Sequence, residues 1–367
     1  MGPATQYAAL PNPFAMRRGG SLRGGRIAFE SWGTLDPDRR NALLILTGLS
    51  PGAHAASSVA DPEEGWWEAM VGPGKAIDTE RWFVVCVNSL GSCKGSTGPA
   101  EDDPATGAPY RLSFPELSLE DVAHGAAVVL DHLGIERPAA LIGPSMGGMS
   151  CLAFAAQYPG RCRHLILIST AASAAPFAIA IRSLQREVVR ADRGWANGNY
   201  RGGADLSTGM RLARKIGMTT YRSPEEWRDR FGRERVEDAP SEAFGIEFQI
   251  ESYLQAHAER FITAFDPNCY LYLSRAMDWF DLAEHGQGNM QQAINHLQIE
   301  TALVMGVGTD FLFPLWQQEE LARRLQDSGS RVQWCPLPSP MGHDSFLVDF
   351  DRFCPPIADY LASREPG

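Results

Sequence analysis

What the chain lacks narrows its reading first. No run approaches the roughly 18 apolar residues a membrane-crossing helix needs, so no span is expected. The opening MGPATQYAALPNPFAMRRGG has no apolar h-region, and Gln6 stands where a myristoylation signal wants Ser or Thr. Neither a secretory leader nor a lipid anchor is expected. Cationic excess is missing: 33 Lys and Arg face 44 Asp and Glu, a net charge of −11. That balance speaks against nucleic acid as a partner. An odd seven cysteines without a C-x-x-C pair form no disulfide framework and read as reduced thiols of a cytoplasmic protein. Cys93 and Cys269 stand in polar context, and burial is expected for both. No H-E-x-x-H or Cys/His cluster offers a metal site, so no metal is expected. Internal repeats and low-complexity stretches are also missing. What remains is 44% hydrophobic and 21% charged, ordinary globular usage that fits one domain with a large insertion, or two.

Strand-like apolar runs are present at 26–33, 42–48, 82–88, 139–144, 164–170, 302–308 and 331–337. Helical patterns separate the later ones, at 118–134, after Ser145 and at 315–326. Strands alternating with helices predict an α/β fold with a mainly parallel sheet covered on both faces. The first two runs, close together, read as an antiparallel start. From about Ala171 to Glu300 the alternation stops, and helical pieces appear at 177–192, 209–218 and 241–261. The division predicted is a core of residues 1–170 and 301–367, with 171–300 inserted as a helical lid.

Gly143-Pro144-Ser145-Met146-Gly147 fits G-x-S-x-G. The pattern means something only where a strand meets a helix through a tight turn that exposes the serine. Here an apolar run precedes it and helical spacing follows. A serine nucleophile needs a base, and the base an orienting acid. Asp310 directly follows the 302–308 run, and His343 lies in the irregular loop PSPMGHDSF after the 331–337 run. Ser145, Asp310 and His343 are thus the catalytic candidates, in the chain order of α/β hydrolases. The other histidines read as surface or capping residues, except His54, whose loop should border the site. An oxyanion needs two N–H donors. Met146, at the helix start, is one, and Leu49, in the loop TGLSPGAHAAS, the other. Two phosphate-loop lookalikes fail: in CKGST Lys94 precedes Gly95, and GPGKA (72–76) lacks the spacing and the Ser/Thr.

GPSMGGM, the long stretch from Gly65 to Pro99 (GWWE…GSTGP), DFLFP (310–314) and GHDSFL (342–347) together resemble the homoserine acyltransferase family of α/β-hydrolase-fold enzymes, over nearly the whole chain. The resemblance implies acyl transfer from an acyl-CoA co-substrate, with no bound cofactor. It implies that Arg214 holds the carboxylate of an amino-acid acceptor and Asp344 its ammonium. Without it, Arg214 reads as a solvated helix charge and Asp344 as a turn cap. Homoserine enzymes usually carry HALTG where this chain has TGLSP. Gly48, Leu49, Ser50 and Pro51, with PFAIAIRSLQRE (176–187), look like the serine O-succinyltransferase branch, a step toward cysteine biosynthesis. A succinyl donor ends in a carboxylate and needs a cation. Homoserine succinyltransferases of this fold tend to carry an arginine two residues after the catalytic acid, where this chain has Leu312, so Arg182 on the first lid helix is the candidate. Its plain alternative is a surface arginine. Still open are homoserine O-acetyl- or O-succinyltransferase, an esterase, and a non-catalytic binding protein on this fold. The resemblance further implies a homodimer through the lid and small-molecule substrates only.

Overall fold

The computed structural model describes residues 2–200, 207–237 and 243–364. Its sheet has eight strands: β1 (Gln6–Ala9), β2 (Arg26–Trp32), β3 (Ala42–Leu46), β4 (Phe83–Val87), β5 (Ala140–Pro144), β6 (His164–Ile168), β7 (Thr301–Val307) and β8 (Arg331–Leu337). They lie in the order β1-β2-β4-β3-β5-β6-β7-β8. β1, β2 and β4 pair antiparallel, and every other pairing is parallel.

The middle strands are apolar throughout because both faces are covered. Period-two geometry splits each strand between two cores. Leu44, Leu46, Val85, Val87, Leu165 and Leu167 enter one, and Leu43, Ile45, Val84, Cys86, Ile166 and Ile168 the other. This corrects one expectation. The runs at 26–33 and 42–48 are not partners, because β4 lies between them, antiparallel to β2 and parallel to β3. A five-residue strand buried along its whole length, like ALLIL, needs a neighbour on each edge, and the return at 83–87 supplies one.

The first long helix, α1 (Leu119–His132), starts in a capping box: Asp121 Oδ2 accepts from the Ser118 amide at 2.8 Å, and Ser118 Oγ accepts from the Asp121 amide. It packs on α2 (Met146–Gln157). Between β6 and β7 lie the inserted helices α3 (Pro176–Ala191), α4 (Ser207–Tyr221), α5 (Pro224–Phe231), α6 (Gln249–Ala264), α7 (Pro267–Trp279) and the short α8 (Met290–His296). Of the helical piece read at 241–261, Ser241 and Glu242 lie outside the described residues, and the helix begins only at Gln249. α9 (Leu315–Asp327) and α10 (Phe350–Ala362) flank the last strands. The buried residues of α3 are Ala178, Arg182, Gln185 and Val189, spaced four, three and four apart. That is one helical stripe, with an arginine and a glutamine on its inward face.

Candidate active site

Ser145 sits between β5 and α2 with φ 54° and ψ −123°. A non-glycine residue held there costs on the order of 1–3 kcal/mol and persists only where its surroundings enforce it. They do. The Ser145 amide donates to Ile168 O at 2.9 Å, and the Ser145 carbonyl accepts from Thr170 Oγ1 at 2.7 Å and from the Gly148 amide at 3.0 Å. The flanking glycines are steric necessities: a Cβ on Gly143 would lie 2.3 Å from the Gly147 carbonyl carbon, and one on Gly147 2.0 Å from Leu46 O.

The base and acid arrive from the ends of β7 and β8. Asp310 is buried, and its Oδ1 accepts from the amides of Leu312 (2.9 Å) and Phe313 (2.8 Å). Its Oδ2 lies 2.7 Å from His343 Nδ1. With Nδ1 donating there, Nε2 is left to accept from Ser145 Oγ at 2.8 Å. Phe313 stacks on the imidazole at 5.0 Å between centroids, and Phe346 meets it edge-on at 5.8 Å. Burial works to lower the His343 pKa, but the charge of Asp310 and its hydrogen bond outweigh it, and the net shift is upward. Ser145, His343 and Asp310 thus form a connected triad, a geometry that can activate the serine for acyl chemistry.

Met146 is the first residue of α2, so its N–H has no acceptor within the helix and is free for a developing oxyanion. Leu49 lines the cavity in front of Ser145 from the 47–52 loop. The Trp66-Trp67 pair supplies what sequence reasoning missed. The two indoles stack at 4.9 Å. Trp66 Nε1 donates to Gly52 O at 3.0 Å, fixing the Leu49 loop, and Trp67 Nε1 donates to Phe346 O at 2.9 Å, fixing the His343 loop.

The cavity in front of Ser145 has a volume of about 120 Å³. Gly48, Leu49, Ser50 and Pro51 line it, with Leu312, Arg182, Arg214 and Asp344. Arg182 is 5% exposed and not a surface residue. Its Nε lies 2.5 Å from Asp278 Oδ1, and its Nη2 is buried without a hydrogen-bond partner. The Arg214 guanidinium lies over Phe261 (4.5 Å) and Tyr221 (5.4 Å). Its Nε is likewise buried and unpartnered, and it makes no ion pair among the described residues. Asp344 Oδ2 lies 3.6 Å from Arg222 Nε. Its pKa is raised because burial outweighs the opposing charge of Arg222. Arg222, Tyr221 and Tyr270 carried no motif that marked them in sequence. Gln185 lies within PFAIAIRSLQRE but was not singled out there; the inward stripe of α3 was its readable signal.

Other candidates fall elsewhere. His54 is not among the cavity residues. Its Nδ1 lies 2.8 Å from Glu30 Oε2 and its Nε2 2.9 Å from Glu63 O. Glu30, His54 and Asp61 come together within 4.8 Å, a donor set that no spacing in the sequence announces. Cys269 is buried as expected, whereas Cys93 is only partly buried and its Sγ accepts from the Asp266 amide. In CKGST, Ser96 Oγ accepts from the Ala28 amide at 2.9 Å and donates to Asn88 O at 2.8 Å, a structural tie. Lys75 of GPGKA pairs with Glu68 at 3.1 Å.

A serine at a strained strand-to-helix turn, with acid and base from the following strands, defines the class: an α/β-hydrolase-fold protein with a serine triad. The family model described as alpha/beta hydrolase fold matches residues 41–347. The chain is 56% identical over 361 residues to serine O-succinyltransferase of Stenotrophomonas maltophilia, covering 98% of both chains, and it belongs to that family. Among solved structures it is similar to homoserine O-acetyltransferase from Bacillus anthracis (TM-score 0.89, 26% identity, covering 99% of this chain and 98% of that one). It is also similar to esterase E22 (TM-score 0.88, 27% identity, covering 97% and 99%).

Proposed function

We propose that the protein is an O-acyltransferase that carries a succinyl group from succinyl-CoA to the hydroxyl of L-serine through an acyl-Ser145 intermediate. Ser145 Oγ attacks the thioester carbonyl as His343 Nε2 takes its proton. The amides of Leu49 and Met146 receive the oxyanion. The C–S bond breaks, and CoA leaves with the proton from His343. The acceptor hydroxyl then gives its proton to His343 and attacks the acyl-enzyme carbonyl; the ester bond to Ser145 Oγ breaks, and His343 returns the proton to Ser145. Arg214 holds the acceptor carboxylate, Asp344 its ammonium and Arg182 the far carboxylate of the succinyl group. Gly48, Leu49, Ser50 and Pro51 shape the acceptor end. The product carries an activated hydroxyl, as cysteine biosynthesis requires.

One observation carries this reading: two arginines with buried, unpartnered N–H groups line the cavity that holds the triad. Unpaired buried donors are costly, and two anionic ligand groups would satisfy them. An acetyl donor or a simple ester offers no second carboxylate. The relatives named serine O-succinyltransferase support the same choice. In this reading the helices over the cavity keep water from the acyl-enzyme, which would otherwise hydrolyse. The deciding experiment crosses serine, homoserine and water with acetyl- and succinyl-CoA in steady-state kinetics. The highest kcat/KM is expected for serine with succinyl-CoA. Preference for homoserine or acetyl-CoA would replace this reading by the homoserine acyltransferase one, and equal turnover without an amino acid by the esterase one.

Residues 1–170 and 301–367 would carry the triad, and the lid of 171–300 the substrate cations. Phe177, Leu184 and Leu212, on α3 and α4, are apolar and exposed. They support a homodimer through the lid, which Leu184→Asp with Leu212→Asp should convert to monomers in light scattering. No helix among the described residues is long and apolar enough to cross a membrane. Seven free thiols fit work in the cytoplasm.

A further inference from the structure

We infer that Asp278 is a positioning residue for donor recognition: it holds the Arg182 guanidinium by Nε and so leaves Nη2 for the ligand. The inference rests on the donor reading above. Asp278 lies on α7, and its side chain is 6% exposed. Two arginines one turn apart on α3 converge on it, Arg182 Nε at 2.5 Å from Oδ1 and Arg186 Nη2 at 2.6 Å from Oδ2. Side by side on one helix face, these two like charges repel. A single carboxylate between them neutralises one charge and leaves a surplus of one. Arg182 lines the cavity and has the unpartnered Nη2, while Arg186 is turned to Ser274 Oγ at 3.5 Å and is not among the cavity residues. A long arginine side chain has many rotamers, and a carboxylate gripping its Nε removes most of them before the ligand arrives. The neighbouring Gln185 ties α3 to α4 through Ala213 O at 2.9 Å, so the platform under Arg182 is itself held.

The position of the carboxylate can be tested apart from its charge. Asp278→Glu keeps the charge and lengthens the arm by one methylene, which moves Arg182. Misplacing a recognition group by about 1 Å can cost up to ~10²-fold, so the ratio of kcat/KM for succinyl-CoA over acetyl-CoA should fall about tenfold or more. The loss should lie mainly in KM for succinyl-CoA, with acetyl-CoA turnover unchanged. Asp278→Asn keeps the acceptor in place and removes the charge, and its ratio should stay within about threefold of wild type. Asp278→Ser shortens the arm in a smaller side chain and must also lower the ratio, which covers a glutamate variant that fails to fold. In an Arg182→Ala background, Asp278→Glu should lower the ratio no further. An unchanged ratio in Asp278→Glu, an equal loss in Asp278→Asn, or equal damage to both donors would overturn the positioning role alone. A wild type that prefers acetyl-CoA would overturn the donor reading and this inference with it.

Discussion

The two walls of the site are built on opposite principles. On the sheet side every side-chain group of the triad is already engaged: both oxygens of Asp310, both nitrogens of His343 and the hydroxyl of Ser145. On the lid side Arg182 and Arg214 keep buried N–H groups without partners. The difference separates chemistry from recognition. A triad acts best when preorganised before the substrate comes, whereas a binding cation gains most when its partner is the substrate itself. The two lid arginines therefore carry an unmet hydrogen-bonding cost that the triad does not.

The hardest blow to the comparison falls on the nucleophile. Ser145→Ala should lower acyl transfer by about 10⁶-fold, on the precedent of serine proteases, while the protein melts as a folded domain. Wild type incubated with succinyl-CoA alone should release a burst of CoA and gain a succinyl mass on Ser145. Turnover in the alanine variant would remove the covalent mechanism.

Asp310→Asn should cost about 10⁴-fold, because the imidazole loses its orientation and its partner charge. The pH profile sharpens this. Asp310 holds the His343 pKa above 6.5, so in wild type the acid limb of kcat/KM should lie above pH 6.5, where the imidazole begins to protonate and ceases to be a base. In the asparagine variant that limb should move to lower pH. The same shift has a stability side: the imidazolium–Asp310 pair contributes in full below pH 6.5 and is lost as pH rises through the higher folded value. An unmoved limb would show that another group titrates.

Lid-side changes should be milder and selective. Arg214→Met should lower kcat/KM for the amino-acid acceptor by roughly 10²–10³-fold, since a carboxylate left unpaired in a buried site costs several kcal/mol. The CoA burst should survive, because acyl-enzyme formation does not use that carboxylate. Its Tm should be unchanged or higher, since a buried unsatisfied N–H is removed. A clear loss of stability would mean that Arg214 is structural and that the two walls do not differ.

The smallest effect expected is at the donor end. Arg182→Ala should lower kcat/KM for succinyl-CoA by at least about tenfold, as one charge-assisted hydrogen bond of roughly 1.5–3 kcal/mol implies. Acetyl-CoA turnover should hold or rise. If both donors fall together, the variant reports folding and not recognition.

How far the sequence could be read differs along the same division. The triad was legible because each member stands just after a strand whose apolar run announces it, and the elbow glycines leave a fixed spacing. The sheet was legible for the same reason, apart from the short edge strand β1, which no apolar run announces, and the order of the strands next to it. Runs that are apolar on both faces look alike wherever they lie, so nothing local said that β4 inserts between β2 and β3. Gly65-Trp66-Trp67 was legible as a signature but not as a clamp, because its partners, Gly52 O and Phe346 O, are backbone atoms that any residue offers.

The lid shows where the sequence stops. Arg182 and Gln185 fall on the inward stripe with Ala178 and Val189, a periodicity that the chain itself sets. Asp278 does not follow from it: that acid is 96 residues away on another helix, and only the packing of α3 on α7 makes it the partner of Arg182. Arg222 meets Asp344 in the same way, by the lid reaching the His343 turn, where a Cβ on Gly342 would lie 2.7 Å from the Ser223 amide nitrogen. By itself the sequence determined the seven apolar strands, the strained serine and the order of acid and base, since short-range sterics and hydrophobic periodicity act within a few residues. Which charges stay unpaired was decided by tertiary structure alone, because burial and pairing depend on what a distant segment brings alongside.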